Sequence, residues 1–485
     1  MKRTKIVATI GPASEKEEVL EKLIKAGINV MRLNFSHGSY EEHLEKVLTL
    51  RKLNEKNNTA VAFLLDTKGP EIRLGTFADD KKHQLVKGTK FTLTTDQIEG
   101  DDTRLTVNYK DLVKDAKVGG TILLDDGLIG LTIDKIEGSN IECTVQNNGM
   151  LGGKKGVNVP NVKLSLKAMT EKDKEDLKFA VKHDFDYVAA SFVRKASDVI
   201  EMKEFLKSIG DNSIKIISKI ENQEGLDNFD EILEVSDGIM VARGDLGVEI
   251  NIEDLPTVQK NMIKKTVHAN KLVITATQML ESMQKNPRPT RAEVSDVANA
   301  VYDGTSCVML SGESALGDYP VECVEVMSKI VNAAEANLDY WKRFRKRNIE
   351  RLAIEHSVDA TDEFEYKKQV SFALCCSAMY SNAKAIISVT EHGNTPSILS
   401  SYRPGCPIYV FTANAHTYRQ MSAEQNVTAI YIENEYNYEN MLKKGIAILK
   451  ERKLLKTDDT VIISSNVIKN DKNEEFVSTG SIVKI

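Results

Sequence analysis

Ile214-Lys215-Ile216-Ile217-Ser218-Lys219-Ile220-Glu221-Asn222 and, shortly after it, Gly238-Ile239-Met240-Val241-Ala242-Arg243-Gly244-Asp245 decide the fold. Each is a short apolar run that breaks into charged and polar residues at its C-terminal end. A run of this kind, bounded by turn residues and too short for a helix, reads as a strand buried on both faces. The same unit recurs on either side. KIVATI (5–10), INVMRLNF (28–35) and AVAFLLD (60–66) precede the pair; YVAASF (187–192), LVITAT (272–277) and CVMLS (307–311) complete the set. Between them lie amphipathic segments such as Ser14–Ala26 and Thr170–His183, the second opening on the capping-box pattern Thr170-Glu171-Lys172-Asp173. Eight such strands alternating with helices suit a closed parallel (β/α)8 barrel better than an open sheet.

One interruption has another character. LVKGTKFTLTT (85–95), TILLDDGLIGLTI (121–133) and NIECTVQNNG (140–149) are short strands and turns, which read as a small all-β domain inserted into a barrel loop. After the eighth run, 332–351 reads as one charged helical stretch carrying the single tryptophan, Trp341. The runs AKAIISVT, PIYVFT, TAIYI, TVIISS and SIVKI then give a doubly wound C-terminal α/β domain. The expected division is barrel 1–69, β-barrel lid 70–161, barrel 162–345 and C-terminal regulatory or assembly domain 346–485.

Composition sets limits on function. A net charge of −6 argues against general nucleic-acid binding, which needs a basic footprint. No stretch approaches the ~20 apolar residues that span a bilayer, and Gly11-Pro12 interrupts the N-terminal apolar run too early for a signal peptide. The six cysteines show no metal-ligand spacing, and Cys375-Cys376 lies in an apolar stretch that favours packing over redox pairing. A soluble protein of a reducing cytoplasm is expected.

In a barrel, all strand ends converge on one face, where barrel active sites lie. Here they read TIGPAS, RLNFSHG, DTKGPEIR, SFVR, SKIEN, ARGDLG, TQML and SGES. Any one of these is ordinary loop chemistry; eight in register are hard to explain as turns alone. Glu221 and Asp245 follow neighbouring strands, so two carboxylates can share one Mg2+ (or Mn2+), an ion that takes few hard oxygen ligands and leaves the rest to substrate. The alternative is a structural salt bridge to Lys219 or Arg243. Lys219 and Glu221 share a strand face, where a lysine can stabilise negative charge that develops in a reaction; otherwise it is solvated. Gly244 and Asp245 begin a turn leading to a helix, with N–H groups suited to a carboxylate. Arg32 and Arg73 offer forked donors to phosphate oxygens.

Met31–Gly38, Asp66–Arg73, Ile217–Asn222, Met240–Gly247, Ala276–Leu280 and Asn286–Arg291, in this order, resemble the motifs of the pyruvate kinase family along nearly the whole chain. The resemblance implies transfer of a phosphoryl group from phosphoenolpyruvate to ADP and assembly as a tetramer. It implies that Lys219 is the transition-state lysine and that Arg32 and Thr277 act with it. It implies that Arg32, Lys219, Gly244, Asp245 and Thr277 meet the substrate, the alternative for Thr277 being a threonine that satisfies its own backbone. Asn34, Ser36, Asp66 and Thr67 are the implied K+ ligands, and Glu71 is the acid that accompanies K+ dependence. Asn34, Phe35, Ser36, His37, Arg73 and the lid-edge Lys155 are expected along the nucleotide, with packing or nucleotide contact favoured over base catalysis for His37. Ser311 and Glu313 are candidates for a proton relay near Thr277, and Ser306 stands where the resemblance leads one to expect an acid. Thr390-Glu391-His392-Gly393-Asn394-Thr395-Pro396, with 466–481, marks a possible phosphorylated-effector site, where Glu391 argues against a bisphosphate. Two other readings remain: a barrel enzyme using phosphoenolpyruvate without nucleotide, and a catalytically silent metabolite-binding regulator.

Overall fold

A computed structural model describes residues 2–354, 363–466 and 478–485. All eight expected runs are strands: Lys5–Thr9, Val30–Asn34, Ala62–Asp66, Tyr187–Ala190, Lys215–Ile220, Gly238–Ala242, Leu272–Ala276 and Cys307–Leu310. They pair in parallel around a closed barrel in which the first strand lies between the second and the eighth. Ile6, Leu33, Phe63, Val188, Ile216, Val241, Val273 and Val308 face the helices, while Val7, Leu64, Ile217, Met240 and Ile274 belong to a second apolar cluster. Both faces of each strand are therefore apolar, as the runs implied. The box at Thr170 forms, its hydroxyl accepting the Asp173 N–H and its own N–H donating to the Asp173 carboxylate.

Residues between the third and fourth strands build the lid around a core running from Ile72 to Val159. Its main sheet has six strands, edged by Val157–Asn158 and Arg104–Thr106. Single bridges Arg73–Gly156 and Leu74–Val107 tie residues 73 and 74 to the chain beside the two edge strands. The domain is not purely β: Leu112–Asp115 is one helical turn.

The charged stretch read as one helix is two, Pro320–Ala336 and Tyr340–Ile354. Asn337 caps the first, and the Asp339 carboxylate accepts the Lys342 N–H to start the second. Position 345 falls inside the second helix. The C-terminal sheet is ordered Val427–Tyr431, Ile408–Thr412, Ala385–Val389, Thr460–Asn466, Ser478–Lys484, with the last strand antiparallel. Helix Glu363–Tyr380 packs against one face and Tyr438–Glu451 lies on the other, as Ile386 and Ile387 point to separate apolar clusters. Arg419 docks this domain to the barrel, reaching Asp186 at 3.0 Å and Asp184 at 2.7 Å. Among the described residues no helix is long and apolar enough to cross a membrane.

Candidate active site

Asp66, fully buried at the end of the third strand, is the hub. Its Oδ2 accepts from Arg32 Nε at 2.6 Å and its Oδ1 from Lys219 Nζ at 3.1 Å. Lys219 Nζ also reaches Ser191 Oγ at 2.8 Å and Glu221 Oε1 at 2.9 Å. Glu221 Oε2 accepts the Phe192 N–H at 2.6 Å, and Arg32 donates to Thr9 Oγ1 at 2.7 Å. Five consecutive strand ends therefore meet, and Lys219 and Glu221 share a face as the strand period requires. Burial alone would lower the Lys219 ammonium; Asp66 and Glu221 outweigh it and hold the pKa above the ordinary value. Burial would raise Asp66, but Arg32 and Lys219 hold it below the usual carboxylate range.

The other side of the site comes from the sixth and seventh strands. Gly244 and Asp245 lie in the first turn of helix Arg243–Glu249 rather than in a turn before it. The Gly244 N–H donates to Thr277 Oγ1 at 2.7 Å, and that hydroxyl donates to Ala276 O at 2.7 Å. In this state Thr277 thus satisfies its own backbone and caps Gly244, and an incoming carboxylate would take over both donors. Thr277 and Gln278 both have positive φ, 66° and 52°, a strained arrangement for non-glycine residues. Arg243 holds it: Nε donates to Ala276 O at 3.0 Å, Nη2 to Thr277 O at 2.5 Å, and Nη1 to both Asp296 oxygens at 2.7 Å. Arg243 is thereby engaged away from Glu221 and Asp245.

Burial pushes both the Glu221 and the Asp245 carboxyls up, with Lys219 pulling each the other way. Each acid also raises itself against others, Glu221 against Asp245, and Asp245 against Asp126, Glu71 and Asp66. A buried carboxylate and a half-buried one that resist ionisation together are a fitting pair of ligands for a divalent cation. The oxygens of the second and third strand ends are also adjacent, Asn34 and Asp66 being register partners. Asn34 Oδ1 accepts the Ser36 N–H at 3.0 Å, and Thr67 Oγ1 accepts from Ser191 N at 3.1 Å while donating to Ala189 O. These groups keep lone pairs suited to a monovalent cation, but Asp66 spends both oxygens on Arg32 and Lys219.

The residues expected along a nucleotide are more scattered. Phe35 is buried, stacked on His43 at 4.0 Å, so only its backbone can line a ligand. His37 is exposed, and its carbonyl meets His43 Nε2 at 2.9 Å. The Arg73 fork closes on Glu71, Nε to Oε2 at 2.6 Å and Nη2 to Oε1 at 3.2 Å, with Nη1 on Lys154 O. Lys155 pairs with Asp125 at 2.8 Å. An anion arriving at either cation displaces a carboxylate. Glu313 accepts the Leu280 and Ser311 N–H groups, which makes it a loop staple. Ser306 is buried and accepts from Arg403. In the loop 390–396, expected to take an effector, Gly393 precedes helix Asn394–Ser401 at φ 79°, and the Glu391 side chain is 79% exposed, so solvent screens it. The second loop's Lys469, Asp471, Lys472, Glu474 and Glu475 lie outside the described residues.

Sequence reasoning missed Thr9, Ser191, Phe192 and Asp296, and considered Arg243 only as a partner of Glu221 or Asp245 rather than of Asp296. The SFVR end was visible, but partners contributed from a neighbouring strand carry no local signal.

Comparison with known proteins places these features in a family. A family model described as "Pyruvate kinase, barrel domain" matches residues 1–324, and one described as "Pyruvate kinase, alpha/beta domain" matches 368–475. The chain is 46% identical to a pyruvate kinase of Clostridium acetobutylicum, covering 97% of each. It is 47% identical to one of Staphylococcus haemolyticus, covering 97% of this chain and 79% of that one. The crystal structure of a pyruvate kinase from Cryptosporidium parvum superposes with a TM-score of 0.92 at 38% identity, over 100% of this chain and 96% of that chain.

Proposed function

The chain belongs to the pyruvate kinase family, and we propose that it transfers the phosphoryl group of phosphoenolpyruvate to ADP, giving pyruvate and ATP. The observation that carries this reading is the convergence of Arg32, Asp66, Lys219 and Glu221 within 2.6–3.1 Å at the barrel's C-terminal face. Phosphoryl transfer asks a protein mainly for positioning and charge. The Gly244 and Asp245 amides with the Thr277 hydroxyl hold the substrate carboxylate, which sets the phosphoryl group toward Arg32 and Lys219. The P–O bond to the enol oxygen breaks as an ADP oxygen bonds to phosphorus. The enolate left behind faces the Lys219 ammonium. Because Asp66 and Glu221 keep that ammonium charged, Lys219 stabilises the enolate electrostatically, and the proton for its methylene carbon comes from another group or a water. Held by Glu221 and Asp245, Mg2+ or Mn2+ would neutralise phosphoryl oxygens.

K+ is the proposed monovalent activator, with Asn34, Ser36, Asp66 and Thr67 as its donors. The Glu71–Arg73 pair supports this reading, since it engages the Arg73 charge beside those donors. The proposed working form is a cytoplasmic homotetramer. The C-terminal domain serves assembly and, where it takes an effector, a monophosphate such as AMP or a sugar monophosphate. Pyruvate formation from phosphoenolpyruvate and ADP, assayed with Mg2+ omitted or K+ replaced by a bulky organic cation, tests the core reading. No pyruvate under complete conditions would refute it. A catalytically silent regulator has no feature in its favour, since Lys219, Glu221 and Asp245 are all in place. Titrating fructose 1,6-bisphosphate at sub-saturating phosphoenolpyruvate should move the substrate curve little, and a large leftward shift at micromolar effector would overturn the effector reading.

A further inference from the structure

At the N-terminal end of the eighth strand, the end away from Ser311, Arg403 is buried at 8% exposure with a left-handed backbone, φ 54°. It reaches from the C-terminal domain into the barrel. Nη1 donates to Ser400 O and Oγ and to Gln425 Oε1 at 3.2–3.3 Å. Nη2 donates to Gly304 O at 3.1 Å and Ser306 Oγ at 2.9 Å. Every acceptor is neutral, and the buried Nε–H has no partner. Arg403 borders a cavity of ≈ 20 Å³ that is also lined by Arg343, Arg347, Tyr340, Glu335 and Gln425. The Tyr340 hydroxyl is likewise buried without a partner. Arg343 forms no ion pair among the described residues, and Arg347 donates to Asp303 O at 3.1 Å. The one carboxylate in the lining, Glu335, already accepts the Arg3 and Thr4 N–H groups at 2.8 and 2.6 Å.

Arg403 is thus a buried guanidinium without an ion pair, and the small void it borders is also lined by the unpartnered Tyr340 hydroxyl. A lone water would satisfy the donors but leave the charge. A phosphate is too large for the space. We propose that this cavity is a binding site for a monatomic anion of the halide class, held by Arg403 Nε–H and Tyr340 O–H at the junction of the barrel and the C-terminal domain. Burial, reinforced by Arg347 and opposed by Glu424, lowers the Arg403 pKa to about 9, in keeping with a buried cation that makes no ion pair. A bound halide would supply that charge and stiffen the contact between Arg403 and Ser306.

The test uses the full chain. In thermal melts at constant ionic strength, replacing gluconate stepwise by chloride or bromide should raise the apparent Tm saturably by a few degrees. The rise should vanish in Ser306→Asp, whose carboxylate replaces the anion, and in Arg403→Met. Bromide soaked into crystals should give an anomalous peak in contact with Arg403 Nε. Melts that do not distinguish chloride from gluconate, a halide effect that survives both variants, or a cavity free of bromide would each overturn the proposal. If either variant fails to fold, the wild-type melts and the bromide position decide alone.

Discussion

At the C-terminal end of the barrel, Arg32 and Lys219 are buried against Asp66 and Glu221. At the N-terminal end, Lys5 and Arg403 are buried against carbonyls, hydroxyls and an amide. Lys5 Nζ donates to Val427 O at 2.6 Å, and Arg403 donates only to neutral oxygens. The same burial therefore has opposite consequences. Lys219 is held above its ordinary pKa by its acids, while burial lowers Lys5 to about 8 and Arg403 to about 9. A site that must meet an anionic substrate needs cations that stay charged, and surrounding them with acids achieves this at the expense of a net negative cluster. Counting Asp245, that cluster has two cations and three carboxylates, which leaves room for a divalent metal. At the lower end the cations tie the C-terminal domain to the first and eighth strands.

The largest test of this contrast is Lys219→Met. We expect kcat to fall by about 10²–10³ or more, the scale for losing a preorganised transition-state group, with phosphoenolpyruvate affinity changed only a few-fold. Steady-state kinetics with a direct binding titration separates the two, and near-normal turnover would remove Lys219 from its role. Asp66→Asn comes next, because it leaves Arg32 and Lys219 buried with half their counter-charge. Breaking such a cluster costs about 3–5 kcal/mol, and urea unfolding should register most of it along with lost activity. The stabilisation from Asp66, whose folded pKa is depressed, is present above about pH 4 and fades as pH falls through that folded value; the asparagine variant should lack this acid limb.

Glu71→Lys probes the edge of the upper cluster. It frees the Arg73 fork and adds a fixed cation, so activity should become less dependent on K+ over Na+. An unchanged K+ requirement would separate Glu71 from the ion's role. Lys5→Met should have the smallest effect. Because burial lowers the Lys5 pKa, its charge opposes folding below about pH 8, and the opposition fades as pH rises toward the unfolded value of about 10.4. We expect stability at pH 7 to be unchanged or higher, with kcat near wild type. A loss above about 2 kcal/mol would mean that the bond to Val427 outweighs the burial of charge.

Much of this was legible in the sequence. The eight strands were visible because a doubly buried strand has to be apolar on both faces, and the active face was visible because each run ended in polar residues. The Glu71–Arg73 pair could also have been read, since residues two apart on extended chain share a side. Ser191 and the Arg243–Asp296 clamp could not, because each acts through a residue distant in sequence. The break at Asn337–Asp339 was hidden by charge that continues unbroken across it. Nothing local marks Arg403, which follows Tyr402 and precedes Pro404 in an ordinary turn, and only the docking of the two domains reveals it as a buried cation.

Pairing between Lys5 on the first barrel strand and Cys307 on the eighth also sets a schedule for synthesis on the ribosome. The lid draws its core from 72–159 and has all its partners soon after it emerges. The first three barrel strands do not. The first strand has its second neighbour only once Cys307 has been made, roughly tens of seconds later at bacterial elongation rates of about 5–20 residues per second. During that interval an apolar, three-stranded parallel edge stands open. The nascent chain is then most exposed to chaperones and to aggregation, and a slowed or stalled ribosome between the lid and the eighth strand would prolong that exposure.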